Sequence, residues 1–408
     1  MLKLKASSGK AISFVEFVAL VAMMISLTAM SIDMMLPALG LIGRDLQVLN
    51  PNDNPLIISV FFIGMATGQL FYGPLSDSIG RKPAILFGLL IFAIGAILSI
   101  VAESFEQMLL GRLLQGLGLA GPRVVAVALV RDLYSGKAMA RVMSFVMTVF
   151  ILVPMLAPVM GQMVLSFSGW QMIFTTLLTA GLILSGWVVL RLEETLIEEN
   201  KRSLRLGKLW QGFKEVISHP IAMGFTVVTG LVQGAFLVYL NLSQPMLQNL
   251  YGLGELFPIY YGALAGSIGL ASLLNVRLVG MLGTWKLVVA ALLGIFILSL
   301  VYLPVVFFYT GQPVLWSFIG YLFLVFFAVG VLFGNLSALA MEPLGHLAGI
   351  GAGMVSSLAM LLGVFSSLAI GHFYNHTVYP LVVGFLVLIS FGLLVCFWLR
   401  NKVTAVHS

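Results

Sequence analysis

A chain of 408 residues, of which 60% are hydrophobic and only 9% charged, cannot be a soluble domain; its mean hydropathy of +1.09 leaves too little polar surface to face water. The net charge of +6 at pH 7 does not point to nucleic acid, because the basic residues stand in short clusters between apolar runs and form no continuous patch. The composition describes a polytopic membrane protein, and the lone cysteine, Cys396, inside the last apolar run, excludes a disulfide framework.

The stretch MLKLKASSGK leads into an apolar run from about Ala11 to Leu36. That run is too long for the core of a signal peptide and has no small-x-small cleavage site near its end, so it reads as the first helix. Runs of roughly 20 apolar residues then recur near 12–38, 56–75, 83–102, 107–130, 138–165, 170–190, 220–244, 257–280, 286–308, 314–340, 347–371 and 377–399. The longest hydrophilic interruption, 191–219, divides the chain into a six-helix half over 1–190, a cytoplasmic linker, and a second six-helix half over 220–408. With the N-terminus inside, all of the 21 lysines and arginines except Arg44, Arg112 and Arg123 fall in cytoplasmic segments, which predicts both termini in the cytoplasm. Two six-helix halves are the repeat architecture of secondary transporters.

In the first span, Asp33 lies about one turn from the outer end. Between the second and third spans, GPLSDSIGRKPAIL reads as a tight turn. Its glycines, among them Gly73 and Gly80, permit close approach and a positive φ, Pro83 suits the next helix's first turn, and Asp77 can pair with Arg81. The fourth span holds two charges that lipid would not tolerate, Arg112 and Arg123. Arg112 begins at the depth of Asp33, and the two can pair; an aspartate that is alternately paired and desolvated meets the requirement of a proton carrier, whereas a permanent pair would be structural. Eleven residues of helix turn about 20° beyond three full turns, so Arg112 and Arg123 share one face about 16 Å apart, with Gln115, Gly116 and Leu119 between them. That stripe is expected to line a central cavity, Gln115 and Arg123 on substrate, with a carbonyl freed by Pro122; the alternative for Arg123 is snorkelling to the headgroups.

Other residues carry weaker signals. Tyr239 and Asn241 on the seventh span are candidates to line the cavity. Glu16 reads as solvated near the cytoplasmic start of the first span, Glu342 as lying at a cytoplasmic turn, and His219, His346, His372 and His376 as helix-end residues. HFYNH has i, i+4 spacing but no third ligand, so no metal site is expected. No nucleophile with a base appears within the spans, so the chain is not read as an enzyme, and there is no G-x-x-x-x-G-K-[ST] for ATP.

The turn matches the G-x-L-x-D-x-x-G-R-[KR] signature at Gly73, Leu75, Asp77, Gly80, Arg81 and Lys82, and so resembles the major facilitator superfamily. RLLQGLG resembles that family's R-x-x-Q-G-x-G element. APVMGQ, with Pro154 upstream and Pro158 and Gly161 within, resembles its helix-bending antiporter motif, though with fewer glycines. SIDMMLPAL, LVRDLYSGKAMARVMSFVM, NVRLVGMLG and GHLAGIGAGMVSSL are similar to the bicyclomycin-resistance (Bcr/CflA) group of drug:proton antiporters.

The resemblance implies an all-α integral membrane protein of twelve helices that exports small organic molecules across the bacterial inner membrane. It implies that Asp33 and Arg112 couple to protons, and that Asp77 and Arg81, with Arg131 and Asp132, form a charge network latching the cytoplasmic side. The expected partners are a small-molecule substrate, for which the two arginines favour an anionic group, protons and the bilayer, with no nucleic acid; the chain is expected to be a monomer. No cofactor is expected, the proton gradient supplying the energy. Within transport, a multidrug exporter and a dedicated exporter of an anionic metabolite such as a carboxylate siderophore both remain open.

Overall fold

In lipid every backbone polar group must be satisfied within the segment, so long apolar runs can only become helices. The computed structural model describes residues 12–197, 199, 201 and 206–407. Lys3, Lys5, Lys10, Arg202 and Arg205, which enter the orientation count, lie outside the described residues, as do the side chains of Lys208, His346 and Lys402. Twelve helical stretches among the described residues are long and apolar enough to cross a membrane.

The described residues pack as two units. The first comprises residues up to Leu49 together with Val60–Leu206; the second comprises Asn50–Ser59 and residues from Gly207 on. The first holds α1 (Phe14–Asp33), α2 (Leu39–Asp45), most of α3 (Leu56–Ile79), α4 (Arg81–Ile100), α5 (Phe105–Leu133), α6 (Gly136–Phe167) and α7 (Gln171–Arg191). The second holds α8 (Leu206–Ser218), α9 (Pro220–Ser243), α10 (Phe257–Leu282), α11 (Thr284–Phe308), α12 (Leu315–Met341), α13 (Ala348–Gly371) and α14 (Tyr379–His407).

Small residues set the packing in the first unit. A Cβ on Gly64 would fall on the Leu113 carbonyl, one on Gly88 would stand 2.6 Å from the Gly118 carbonyl, and one on Gly95 the same distance from that of Gly111. Helices α3 and α4 therefore touch α5 backbone to backbone, as membrane helices do where small residues face each other. In the second unit α9 meets α13 in the same way, with Gly234 against Gly363, and the amide of Asn335 on α12 donates to Asn275 on α10 at 2.8 Å.

Three elements depart from the expected spans. The first span is interrupted: α1 stops at Asp33, and a 3-10 turn over Leu36–Ala38 precedes α2. Pro37 has no N–H to give the Asp33 carbonyl, so the α-helical ladder cannot continue through it. The turn between the second and third spans shrinks to a single residue, Gly80, whose φ of +108° is a conformation that favours glycine. The seventh span runs on past Ser243 as a π-helix over Gln244–Leu250; Pro245 cannot bond the Asn241 carbonyl, and a wider turn accommodates its ring.

Candidate functional site

Asp33 ends α1 and is buried. Arg112 of α5 is fully buried, and its Nη2 donates to the Ser31 carbonyl at 3.0 Å, which sets the guanidinium on the last turn of α1. Nη1 donates to Gln115 Oε1 at 2.7 Å, and the cation stands over the rings of Phe61, at 4.5 Å, and Phe174, at 5.8 Å. The aromatic faces supply negative potential where water does not reach. Gln115 in turn donates to Ser99 Oγ at 2.8 Å and to the Gly95 carbonyl at 3.2 Å. The equal depth of Asp33 and Arg112 read from the spans agrees with this arrangement.

The stripe on α5 does not line open space, contrary to expectation. Arg112, Gln115 and Leu119 are fully buried, because the glycines of α3, α4 and α5 draw the three helices together and protein groups satisfy the polar atoms. Gln115, expected on substrate, has its amide engaged by Arg112, Ser99 and Gly95. The Gly118 carbonyl, freed by Pro122, lies against Gly88 rather than open to a ligand.

Arg123 is placed differently. It is half-buried, and its Nη1 points to Met65 Sδ of α3 at 3.6 Å; among the described residues this thioether is its one hydrogen-bond partner. Met65 lies one turn after Phe61, the ring that faces Arg112, so both arginines address one face of α3. Helical side chains lean toward the N-terminus of their own helix. Arg123 follows that direction, away from the end of α5 that snorkelling would need.

The signature around Gly80 forms a charge network. Arg81 is buried; its Nε donates to Asp132 Oδ2 at 2.8 Å, and Nη1 donates to Asp77 Oδ1 at 2.5 Å and to Ser76 Oγ at 2.8 Å. Arg131 does not join it: one residue along α5 turns it about 100° from Asp132, and it is exposed. Gly73 makes no close approach either, since a Cβ there would meet nothing within 4 Å. A residue not singled out from sequence, Glu194, completes the network. Its carboxylate accepts the backbone N–H of Arg81 at 2.9 Å and of Lys82 at 3.1 Å, capping α4 where Gly80 has no side chain to do so. Every one of these partners belongs to the first unit.

Helix α6 runs unbroken through Pro154 and Pro158, and a Cβ on Gly161 would fall on the Met34 carbonyl. The glycine thus seats α6 on the break that follows Asp33. In the second unit Tyr239 and Asn241 are both buried, not lining a cavity. Tyr239 stacks on Tyr261, centroids 5.8 Å apart, and meets the Phe326 ring edge-on at 4.6 Å. Asn241 Nδ2 lies 3.3 Å from both Ser59 Oγ and Ser367 Oγ, while its Oδ1 is buried without a hydrogen-bond partner among the described residues. Glu16, read as solvated, is held by Arg191 through two contacts of 2.5 and 2.6 Å. His219 does act at a helix end, its Nδ1 accepting the Ala222 N–H at 3.4 Å.

Residues 14–367 match the model of the Major Facilitator Superfamily. The chain belongs to that superfamily. Among its relatives are a Bacillus subtilis protein named as an uncharacterized MFS-type transporter, YdgK, 27% identical over 86% of this chain and 87% of that one, and a bicyclomycin resistance protein homolog of Haemophilus influenzae, 31% identical over 65% and 67%. The multidrug resistance protein MdtL of Vibrio parahaemolyticus is 26% identical over 90% and 92%. The fold is shared with a D-xylose-proton symporter, at a TM-score of 0.70 and 13% identity over 95% of this chain and 97% of that one. These relatives agree with the bicyclomycin-resistance group of major facilitator drug antiporters, and the chain is a multi-pass membrane transporter of that superfamily.

Proposed function

We propose that this major facilitator exports small organic molecules from the bacterial cytoplasm in exchange for protons, by alternating access of its two halves, from the inner membrane and with both termini cytoplasmic. The observation that carries the coupling is the Arg112 guanidinium on the last turn of α1, two residues from buried Asp33. In this reading Asp33 carries the proton. It binds one when its surroundings dry out and releases it when Arg112 and water favour the carboxylate. Gln115 is a positioning residue for Arg112. The Asp77, Arg81 and Asp132 network latches the cytoplasmic side by holding the start of α4. Tyr239 and Asn241 meet substrate when the packing of the second unit opens, and the protein works as a monomer.

Asp33→Asn keeps size and hydrogen bonding but removes the titrating group. Reconstituted in vesicles, this variant should insert and fold yet lose substrate movement driven by a pH gradient; undiminished proton coupling would eliminate Asp33 as the carrier. A dedicated exporter of an anionic metabolite such as a carboxylate siderophore is favoured by one observation, the Arg123 guanidinium whose described hydrogen-bond partner is a thioether. Deleting the gene separates the two readings: a multidrug pump leaves cells sensitive to several unrelated drugs, whereas a dedicated exporter leaves drug tolerance unchanged and one anionic compound retained inside.

A further inference from the structure

Helix α8 and the adjoining ends of α9 and α14 carry an apolar surface in the second unit. Along α8, Gly212 and Val216 are buried, while Trp210, Lys214 and Ile217, on the opposite side of the helix, are turned outward, Trp210 57% and Ile217 44% exposed. The Trp210 ring stacks on Phe213 at 5.5 Å and 17°, and Lys214 Nζ lies 5.4 Å from the centroid of the same tryptophan ring. One turn further, Ser218 Oγ donates to the Lys214 carbonyl at 2.6 Å. Ile217 and Ser218 form the lip of a cleft of about 440 Å³, whose other walls are Pro220, Met223, Gly224 and Val227 of α9 with Val395 and Trp398 of α14. Trp398 is 57% exposed.

A tryptophan with one apolar and one polar end settles at the boundary between headgroups and acyl chains. An amphipathic helix with a lysine on its rim lies in that plane and draws anionic lipid. The cleft is apolar and opens beside two membrane-spanning helices; its Ser218 lip is one helical turn along α8 from the Lys214 backbone, whose Nζ reaches back over the Trp210 ring. A soluble metabolite would find almost no polar partner along its walls, whereas an acyl chain requires none.

We propose that α8 lies on the membrane surface and that the α8–α9–α14 cleft seats an anionic phospholipid, one acyl chain against Met223 and Val227 and the headgroup phosphate at Lys214. Native mass spectrometry of the full-length protein, released from nanodiscs holding equal amounts of phosphatidylglycerol and phosphatidylethanolamine, tests this. The wild type should retain phosphatidylglycerol several-fold over phosphatidylethanolamine. Lys214→Glu should bring the ratio to parity, and Met223→Trp, which fills the cleft, should lower retention of both lipids. Equal retention by the wild type, or a ratio that Lys214→Glu leaves unchanged, overturns the proposal. Glycerol phosphate, which has the headgroup chemistry without acyl chains, should not displace the bound lipid; displacement would make this a soluble-phosphate site and end the lipid assignment. Both variants stand outside the Asp33, Arg112 and Arg123 region, so the outcome does not depend on what the protein transports.

Discussion

Arg123 carries five N–H donors, and among the described residues a thioether accepts from one of them. A guanidinium so poorly matched inside a membrane helix is costly unless an anion or water completes its shell. If a substrate anion does so, Arg123→Ala removes a charged contact that typically stabilises by roughly 2–5 kcal/mol, and affinity for anionic substrates should fall at least roughly thirtyfold. Neutral and cationic substrates should lose little, and Arg123→Lys should recover only part, since an ammonium cannot make the two parallel bonds of a guanidinium. Binding titrations on purified protein decide it; affinities unchanged across all substrate charges would remove the anion reading. Arg112 is the opposite case, with a carbonyl, an amide and two aromatic faces around it.

At the scale of helices, the start of α4 depends on a residue far away in sequence. Gly80 allows the abrupt turn from α3 into α4 but cannot cap the new helix, and the Glu194 carboxylate accepts both leading N–H groups. Lys82 Nζ donates to the Val189 carbonyl at 2.8 Å, tying the same start to the end of α7. Glu194→Ala should therefore destabilise the fold by about 1 kcal/mol, within the usual range for a lost cap. Glu194→Gln should cost less, because the amide oxygen still accepts. Thermal denaturation of the two purified variants checks the order, and equal midpoints for wild type and Glu194→Ala would show that the cap contributes nothing. Helix α6 uses the same economy of space at Gly161, where only a hydrogen fits against the Met34 carbonyl. The break that ends α1 at Asp33 is thus set by Pro37 within the span and covered by a helix from elsewhere in the chain.

For the whole molecule, the proposed orientation rests on the distribution of basic residues, because lysines and arginines flanking short loops are retained in the cytoplasm. Leu49 lies fully exposed between the first two spans, and Ser135 is exposed between α5 and α6, next to Lys137. Cys396 is buried and will not react. In intact cells a membrane-impermeant maleimide should label Leu49→Cys and spare Ser135→Cys until the cells are permeabilised; the reverse pattern would overturn the proposed orientation.

Hydropathy and charge belong to single residues and add along the chain, so the twelve spans, the signature around Gly80 and the three intramembrane charges were all legible in the sequence. The shared depth of Asp33 and Arg112 followed as well, since span order and the rise per residue fix depth. Which way a helix face turns is not additive. Gln115 bonds Ser99 and Gly95, Arg112 reaches Ser31, Arg123 meets Met65 and Glu194 caps α4, all because particular helices pack at particular glycines. Periodicity placed Arg112 and Arg123 on one stripe of α5, but only the packing of α3 and α4 onto α5 decided that Arg112 and Gln115 in that stripe are enclosed by protein rather than by a cavity. Contacts between residues far apart in sequence depend on how closely backbones approach, and that distance is set by both helices at once.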